Sequence, residues 1–304
     1  MDELGYSPNL SARHLRNGRT GIIALAIPEL NNAYFAELAD AAIREAGLHG
    51  YTVLLDHTDG NREKELLVSQ GFRAQVIDGL ILSPVQLDRT DVLRRTSRTP
   101  MVLVGERVYD VPYDHIAIDN VAASTEAMRH LLDLGRRRIA FVGAQADANR
   151  EPAHLRLRGY RAALRDAGLA YDPGLVVTTD RFGRADGSGG LRRLMALPEP
   201  PDAVFAYNDL IAIGALRAAA DLGVRVPDDV AVVGFDDIEE GRYSNPTLTT
   251  VSPDKAAIGR RAVAALIGRL DGSRAPEPEE VRVPFALVAR ESTLGRPATD
   301  DLPR

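Results

Sequence analysis

Cysteine and tryptophan are absent from the 304 residues, and of 37 basic residues only Lys64 and Lys255 are lysines. Without cysteine there is no disulfide, no thiolate metal site and no cysteine nucleophile, and the redox compartment stays open. The six histidines (14, 49, 57, 115, 130 and 154) contain no i, i+4 pair, so no zinc or other metal site is expected. Neither lysine follows a glycine loop, which removes the Walker arrangement, and no Gly-x-Ser-x-Gly elbow is present. Long apolar runs are missing as well. The best, Gly21–Ile27, stops at Pro28, far short of the ~20 residues a membrane span needs. The opening Met-Asp-Glu has neither a basic nor an apolar stretch and is read as carrying no secretory signal, so a cytoplasmic location and no membrane partner are expected. A net charge of −6 excludes a nucleic-acid polycation, yet residues 9–20 carry Arg13, Arg16 and Arg19 with no acid among them.

What is present is a soluble globular composition, 45% hydrophobic and 26% charged, over a length that fits two domains of about 150 residues each. Short apolar runs alternate with helix-period segments. The spacing predicts strands at 21–27, 51–56, 78–83, 101–104 and 115–118. It predicts helices at 33–48, 61–72 and 88–96 between the first four of these. The helix at 33–48 places Phe35, Leu38, Ala39, Ala42, Ile43 and Ala46 on one face. The rhythm restarts with helices at 121–134, 154–167, 187–196 and 209–222 and strands at 138–142, 175–178, 203–206 and 230–233. Such alternation implies an α/β fold of parallel sheets built from right-handed crossovers. The halves also resemble each other: a strand at 22–26 and a helix ending Glu-Ala-Gly-Leu48 mirror a strand at 138–142 and a helix ending Asp-Ala-Gly-Leu169. A late helix at 254–270 and a strand at 279–288 are left unassigned to either half by pattern alone.

One glycine cluster, Gly187-Ser-Gly-Gly190, fails the dinucleotide fingerprint because Arg192 stands at its third glycine position, and it reads as a plain loop entering a helix. No catalytic constellation is found, and no cofactor is expected. Two α/β lobes without catalytic residues suggest a binding protein. In open α/β sheets ligands lie beyond the carboxyl ends of strands. Those ends hold Asn32, Tyr34 and Phe35, then Arg150 and Arg156, then Phe182, then Tyr207, Asn208 and Asp209, then Asp236. Flat apolar faces with forked donors and carboxylates suit a small polar ligand. Each has a plainer role open to it. Phe35 can be core, Asn208 is well suited to cap the following helix, and Asp119 is either a ligand carboxylate or the structural ion partner of Arg156.

Here the residues resemble a known family. The runs Ala203-Val-Phe-Ala-Tyr-Asn-Asp-Leu-Ile-Ala-Ile-Gly-Ala-Leu216, Gly223-Val-Arg-Val-Pro-Asp-Asp-Val-Ala-Val-Val-Gly-Phe-Asp-Asp237 and Pro246-Thr-Leu-Thr-Thr-Val251 resemble the lactose-repressor/galactose-repressor (LacI/GalR) family of bacterial transcription regulators. Glu3-Leu-Gly-Tyr-Ser-Pro-Asn9 followed by Ala12-Arg-His-Leu15 resembles that family's DNA-proximal hinge. The resemblance implies two Rossmann-like lobes forming a type I periplasmic-binding-protein-like effector core, with three crossovers and a ligand cleft between lobes. Residues 1–20 would be a remnant of the DNA-binding head and hinge, residues 21–119 plus 252–279 the N-terminal lobe, and residues 120–251 plus 280–304 the C-terminal lobe. On that reading the given sequence begins inside the last helix of the family's helix-turn-helix, so operator DNA is a partner of the full-length protein only. Asn9, Arg13, Leu15 and Arg16 would serve the hinge, with Leu15 as its minor-groove wedge.

The resemblance also implies a homodimer, its helix at 61–72 contributing to the interface, and a small effector held by Tyr34, Phe35, Asp119, Arg150, Arg156, Phe182, Tyr207, Asn208 and Asp236. Tyr34, Phe35, Arg150, Arg156, Phe182 and Asp236 fall on effector contacts of the purine-repressor branch. Pro152 replaces a hydroxyl residue of that branch and Gly105 an acid, while Asn208 resembles the sugar-binding members. A transcriptional repressor responding to a carbohydrate is therefore the favoured expectation. A purine- or nucleoside-responsive regulator is the alternative, and a transporter's periplasmic solute-binding protein shares the fold but would need a signal peptide and no basic hinge.

Overall fold

The structure is a computed structural model that describes residues 19–72, 74–106, 108–145, 151–275 and 277–295. The chain divides into two compact units: one runs up to Ala117 and takes in Lys255–Arg282, the other comprises Ile118–Asp254 and the chain from Val283 on.

The first unit holds β1 (Ile22–Ile27), α1 (Ala33–Leu48), β2 (Thr52–His57), α2 (Arg62–Ser69), β3 (Gly79–Leu82), α3 (Arg89–Leu93), β4 (Met101–Val104) and β5 (Asp114–Ala117). The second holds α4 (Asn120–Asp133), β6 (Ile139–Ala144), α5 (Glu151–Asp166), β7 (Val176–Thr178), α6 (Arg184–Met195), β8 (Ala203–Ala206), α7 (Asp209–Leu222), β9 (Ala231–Phe235), α8 (Glu239–Arg242) and β10 (Thr249–Pro253). The chain returns to the first unit as α9 (Lys255–Asp271) and β11 (Glu280–Arg282), then to the second as β12 (Phe285–Val288) and α10 (Glu291–Leu294).

The described residues form two six-stranded sheets, ordered β2-β1-β3-β4-β5-β11 and β7-β6-β8-β9-β10-β12, so the halves repeat one topology. Pairing is parallel throughout except for β12, which runs antiparallel to β10. Central strands of such sheets are covered on both faces and must be apolar along their whole length. Ile23–Ile27 in β1 and Ile139–Val142 in β6 are accordingly buried without alternation.

Helix α1 starts where Asn32, in extended conformation, accepts the Tyr34 N–H on its side chain at 3.1 Å. It buries Leu38, Ala39, Ala42 and Ala46; Ile43, expected on the same face, is instead exposed, because the contact stripe is narrower than the sequence suggests. Helix α9 packs on α1 so closely that a Cβ on Gly259 would lie 2.9 Å from Ala41 Cβ.

Three other features depart from the sequence pattern. The single strand expected at 279–288 is two strands in different sheets, separated at Val283-Pro284, where the chain leaves one unit for the other and proline has no N–H to continue a ladder. Strand β10 lies in Thr249–Pro253, a segment without period-2 alternation. The cluster Gly187–Gly190 does not precede a helix but lies inside α6, which begins three residues earlier at Arg184 after Gly183. Two of its glycines, Gly187 and Gly190, serve packing of the helix on its neighbours: a Cβ on Gly190 would stand 2.8 Å from Val142 Cγ1 in β6.

Candidate functional site

The second unit gathers its polar side chains at the carboxyl ends of β8 and β9. Asn208 follows β8 in extended conformation and caps α7, its Oδ1 accepting the Ile211 N–H at 2.9 Å. Its Nδ2 donates to the Phe182 carbonyl at 3.1 Å, tying the loop before α6 to the start of α7. The outcome is an aromatic wall: the Phe182 and Tyr207 rings stack at 3.9 Å between centroids, 21° from parallel. The amide of Asn208 is thus engaged at both ends by the fold, as its plainer role as a helix cap requires.

Arg156 projects from α5 with its guanidinium carbon 3.5 Å from the Phe235 ring centroid and 4.4 Å from that of Tyr207. Its Nε donates to Asn120 Oδ1 at 2.8 Å and its Nη1 to the Tyr207 carbonyl. Its Nη2 stands 3.6 Å from Asp236 Oδ1, an ion-pair rather than a hydrogen-bond distance. Arg156 and Asp236 are each only 7% exposed. Desolvating two charges is costly, and here ring faces and hydrogen bonds to the remaining N–H groups offset it.

Two acids share the turn that follows β9, a third opens α7 beneath it, and each is answered differently. Asp236 and Asp237 adopt φ of 114° and 49°, conformations an L-residue holds only when its surroundings over-determine it. Asp237 is fixed by Arg290 at 2.6 Å, Arg242 at 3.0 Å and Ser252 at 3.0 Å. Burial works to raise its pKa, but these partners, Arg290 foremost, bring it below the ordinary carboxylate value. Asp209 is fully buried; Ile238 N–H donates to its Oδ2 at 2.9 Å and the Thr250 hydroxyl lies 2.6 Å from its Oδ1. A Cβ on Gly234 would be 2.1 Å from that oxygen, so only glycine fits beneath it. Burial, followed by the nearby charge of Asp236, drives the Asp209 pKa well above the ordinary carboxylate value.

The folded state therefore holds the Asp209 proton more tightly than the unfolded chain. Its stabilising contribution is full below the unfolded value of about 3.9 and is lost as pH rises through the higher folded-state value. Asp209→Asn cannot ionise and keeps a carbonyl for Ile238 N–H and an amide for Thr250. Its stability relative to the parent chain is expected to improve as pH rises above the unfolded-state value, read by urea unfolding at each pH. Asp209→Ala, which strips both partners, is expected to cost about 1–3 kcal/mol. Parallel pH curves for parent and Asn variant would mean that Asp209 is ionised in the fold.

The structure thus brings together Arg156, Phe182, Tyr207, Asn208 and Asp236. Asp119 does not pair with Arg156: it caps α4 through Ala122 N–H at 2.9 Å, while Arg156 takes Asp236 and Asn120. Tyr34 and Phe35 lie in the first turn of α1, in the first unit, edge-to-face at 5.1 Å. Arg150 and the hinge residues Asn9, Arg13, Leu15 and Arg16 lie outside the described residues. Asn120 and Phe235 were not among the sequence candidates. The former's one signal is its place after Asp119 at the end of β5, and the latter reads simply as strand core. Among the described residues no group of three or more His, Asp or Glu side chains could hold a metal ion, and no helix is long and apolar enough to cross a membrane.

Two parallel α/β units of like strand order, the second carrying stacked rings and an arginine–carboxylate pair at its strand ends, have the architecture of the periplasmic-binding-protein type. Residues 128–293 match the periplasmic binding protein-like domain family. The chain is 30% identical over 296 residues to the HTH-type transcriptional repressor CytR of Escherichia coli, covering 97% of this chain and 86% of that protein. It is 33% identical over 272 residues to the Escherichia coli ribose operon repressor, covering 89% and 82%. A solved structure assigned to the LacI family, from Sanguibacter keddieii, superposes with a TM-score of 0.82 at 43% identity, covering 91% of this chain and all of that one. A LacI family regulator from Lactobacillus casei with bound glucose superposes at 0.79 with 26% identity, covering 90% and 99%. The chain belongs to the LacI/GalR family of transcription regulators.

Proposed function

We propose that the chain is the regulatory core of a LacI-type repressor that binds a neutral carbohydrate at the strand ends of its second unit and works as a homodimer on operator DNA. The observation that carries this reading is the Arg156–Asp236 pair, buried beside the Phe182–Tyr207 stack at 3.6 Å, too far apart to hydrogen-bond directly. A sugar hydroxyl can accept from Nη2 and donate to the carboxylate at once, while the apolar face of a pyranose or furanose ring lies on an aromatic wall. The glucose in the Lactobacillus casei relative and the name of the ribose operon repressor support a sugar over a base. The exposed Leu55, Leu67 and Phe72 of the first unit are apolar surface suited to a dimer. The two Escherichia coli relatives are transcriptional repressors, which supports a regulator and not an enzyme.

Native mass spectrometry of the purified chain, followed by calorimetry with D-ribose, D-glucose, cellobiose, adenosine and hypoxanthine, tests the reading. A dimer that takes up one or more of the sugars is expected. Saturable binding of adenosine or hypoxanthine with no response to any sugar would replace it with the nucleoside or purine alternative.

A further inference from the structure

Asn120 opens α4 and is 1% exposed, yet its amide is only half used. Oδ1 accepts the Arg156 Nε–H at 2.8 Å, whereas Nδ2 is buried with no hydrogen-bond partner among the described residues. The orientation of the amide is fixed by that contact, because the flipped form would set N–H against N–H. A buried donor without an acceptor is destabilising, and an apolar side chain of the same size would avoid the penalty. An asparagine here is therefore explained by what its oxygen does for Arg156, not by what it does for the packing of α4.

That oxygen is one of two acceptors that tie the guanidinium group. Arginine has four rotatable side-chain bonds, and a ring face beneath it constrains height but not rotation in the plane. The Tyr207 carbonyl holds Nη1 and Asn120 holds Nε, so two points on the guanidinium rim are tied. Nη2 is then the corner presented to Asp236. We propose that Asn120 is a positioning residue of the effector site: it turns Arg156 so that the Nη2 edge and the Asp236 carboxylate bracket one ligand hydroxyl. The proposal rests on the carbohydrate reading for its ligand, but its structural part stands on the free protein.

The test compares the full chain with Asn120→Ala, which removes the acceptor, and Asn120→Asp, which keeps an acceptor and drops the partnerless donor. Two readouts are needed. The first is the Arg156 Nε–H resonance in the unliganded protein, identified by its loss in Arg156→Lys. It should be protected from exchange in the parent and in Asn120→Asp and lost in Asn120→Ala. The second is the calorimetric Kd for D-ribose, which should rise by about tenfold or more in Asn120→Ala and return toward the parent value in Asn120→Asp. A protected Nε–H in Asn120→Ala, or an Asn120→Asp variant no better than the alanine one, overturns the proposal. If the parent binds no D-ribose, that result counts against the ligand reading, and the resonance alone then decides the role of Asn120. Should Asn120→Ala fail to fold, the Asn120→Asp arm still decides, since loss of the protected Nε–H there overturns it.

Discussion

Gly214→Ala and Gly187→Ala are each expected to destabilise the second unit by about 3 kcal/mol or more, although alanine is the better helix former by ~1 kcal/mol. Helices α6 and α7 cross where these two glycines face the partner's backbone. A Cβ on Gly187 would stand 1.9 Å from the Ile211 carbonyl oxygen, and one on Gly214 would stand 1.9 Å from the Arg184 carbonyl oxygen. A backbone carbonyl cannot swing aside as a side chain can, so the helices must separate, opening the core around Leu191, Leu194, Ile211 and Ala215. Gly189 supplies the control within the same helix. It is exposed, nothing lies within 4 Å of a Cβ there, and Gly189→Ala is expected to raise stability by up to about 1 kcal/mol. Urea unfolding of the three variants checks the set; a Gly214→Ala chain as stable as Gly189→Ala would mean that α6 and α7 do not approach as described.

That contrast also marks what the sequence can express. Where local chemistry sets an element, its bounds are readable: α1 begins at the Asn32 cap, and α7 runs from the Asn208 cap to Gly223, left-handed at φ 70°. Strands β4 and β8 are short apolar runs between turn residues and emerge at the expected residues. Where a contact partner lies far along the chain, nothing local announces it. Gly187 of α6 looks like a loop residue until α7 is placed against it. Ile43 fits the apolar period of α1 but falls outside the strip that α9 and the sheet cover. Strands β11 and β12 look continuous because the crossing between units leaves no compositional mark other than Pro284.

The site divides along the same line. Arg156, Phe182, Tyr207 and Asp236 can be found by reading the residues just past each strand, since the topology itself brings strand ends together. Asn120 cannot be found that way. Its bond to Arg156 spans 36 residues and joins the start of α4 to the second turn of α5. Phe235 is hidden in another sense: it is a buried strand residue by every sequence measure, and only its ring face, turned to the guanidinium, gives it a part in the site. Asp209 lies beside a readable candidate, yet its role under the Asp236 turn depends on Thr250 and Ile238 arriving from β10 and the β9–α8 loop.

Arg156→Ala carries the largest expected effect on binding. A buried, hydrogen-bonded charge lost from a site typically costs 2–5 kcal/mol, which is about thirtyfold or more in affinity. The arginine lies over Phe235 and is anchored on Asn120 and Tyr207, and on the proposed function it supplies a donor edge for the ligand. Arg156→Lys is not expected to rescue it. An ammonium has no planar fork, so it cannot reach Asn120, the Tyr207 carbonyl and Asp236 from one position while lying flat on a ring. Calorimetry with whichever sugar the parent chain binds, alongside thermal unfolding of each variant, separates loss of contact from loss of fold. The lysine variant is the sharper probe, because it keeps the charge beside Asp236 and removes only the geometry. Parent-like affinity in Arg156→Lys would mean that charge alone is recognised, and parent-like affinity in Arg156→Ala would return Arg156 to a structural role within the second unit.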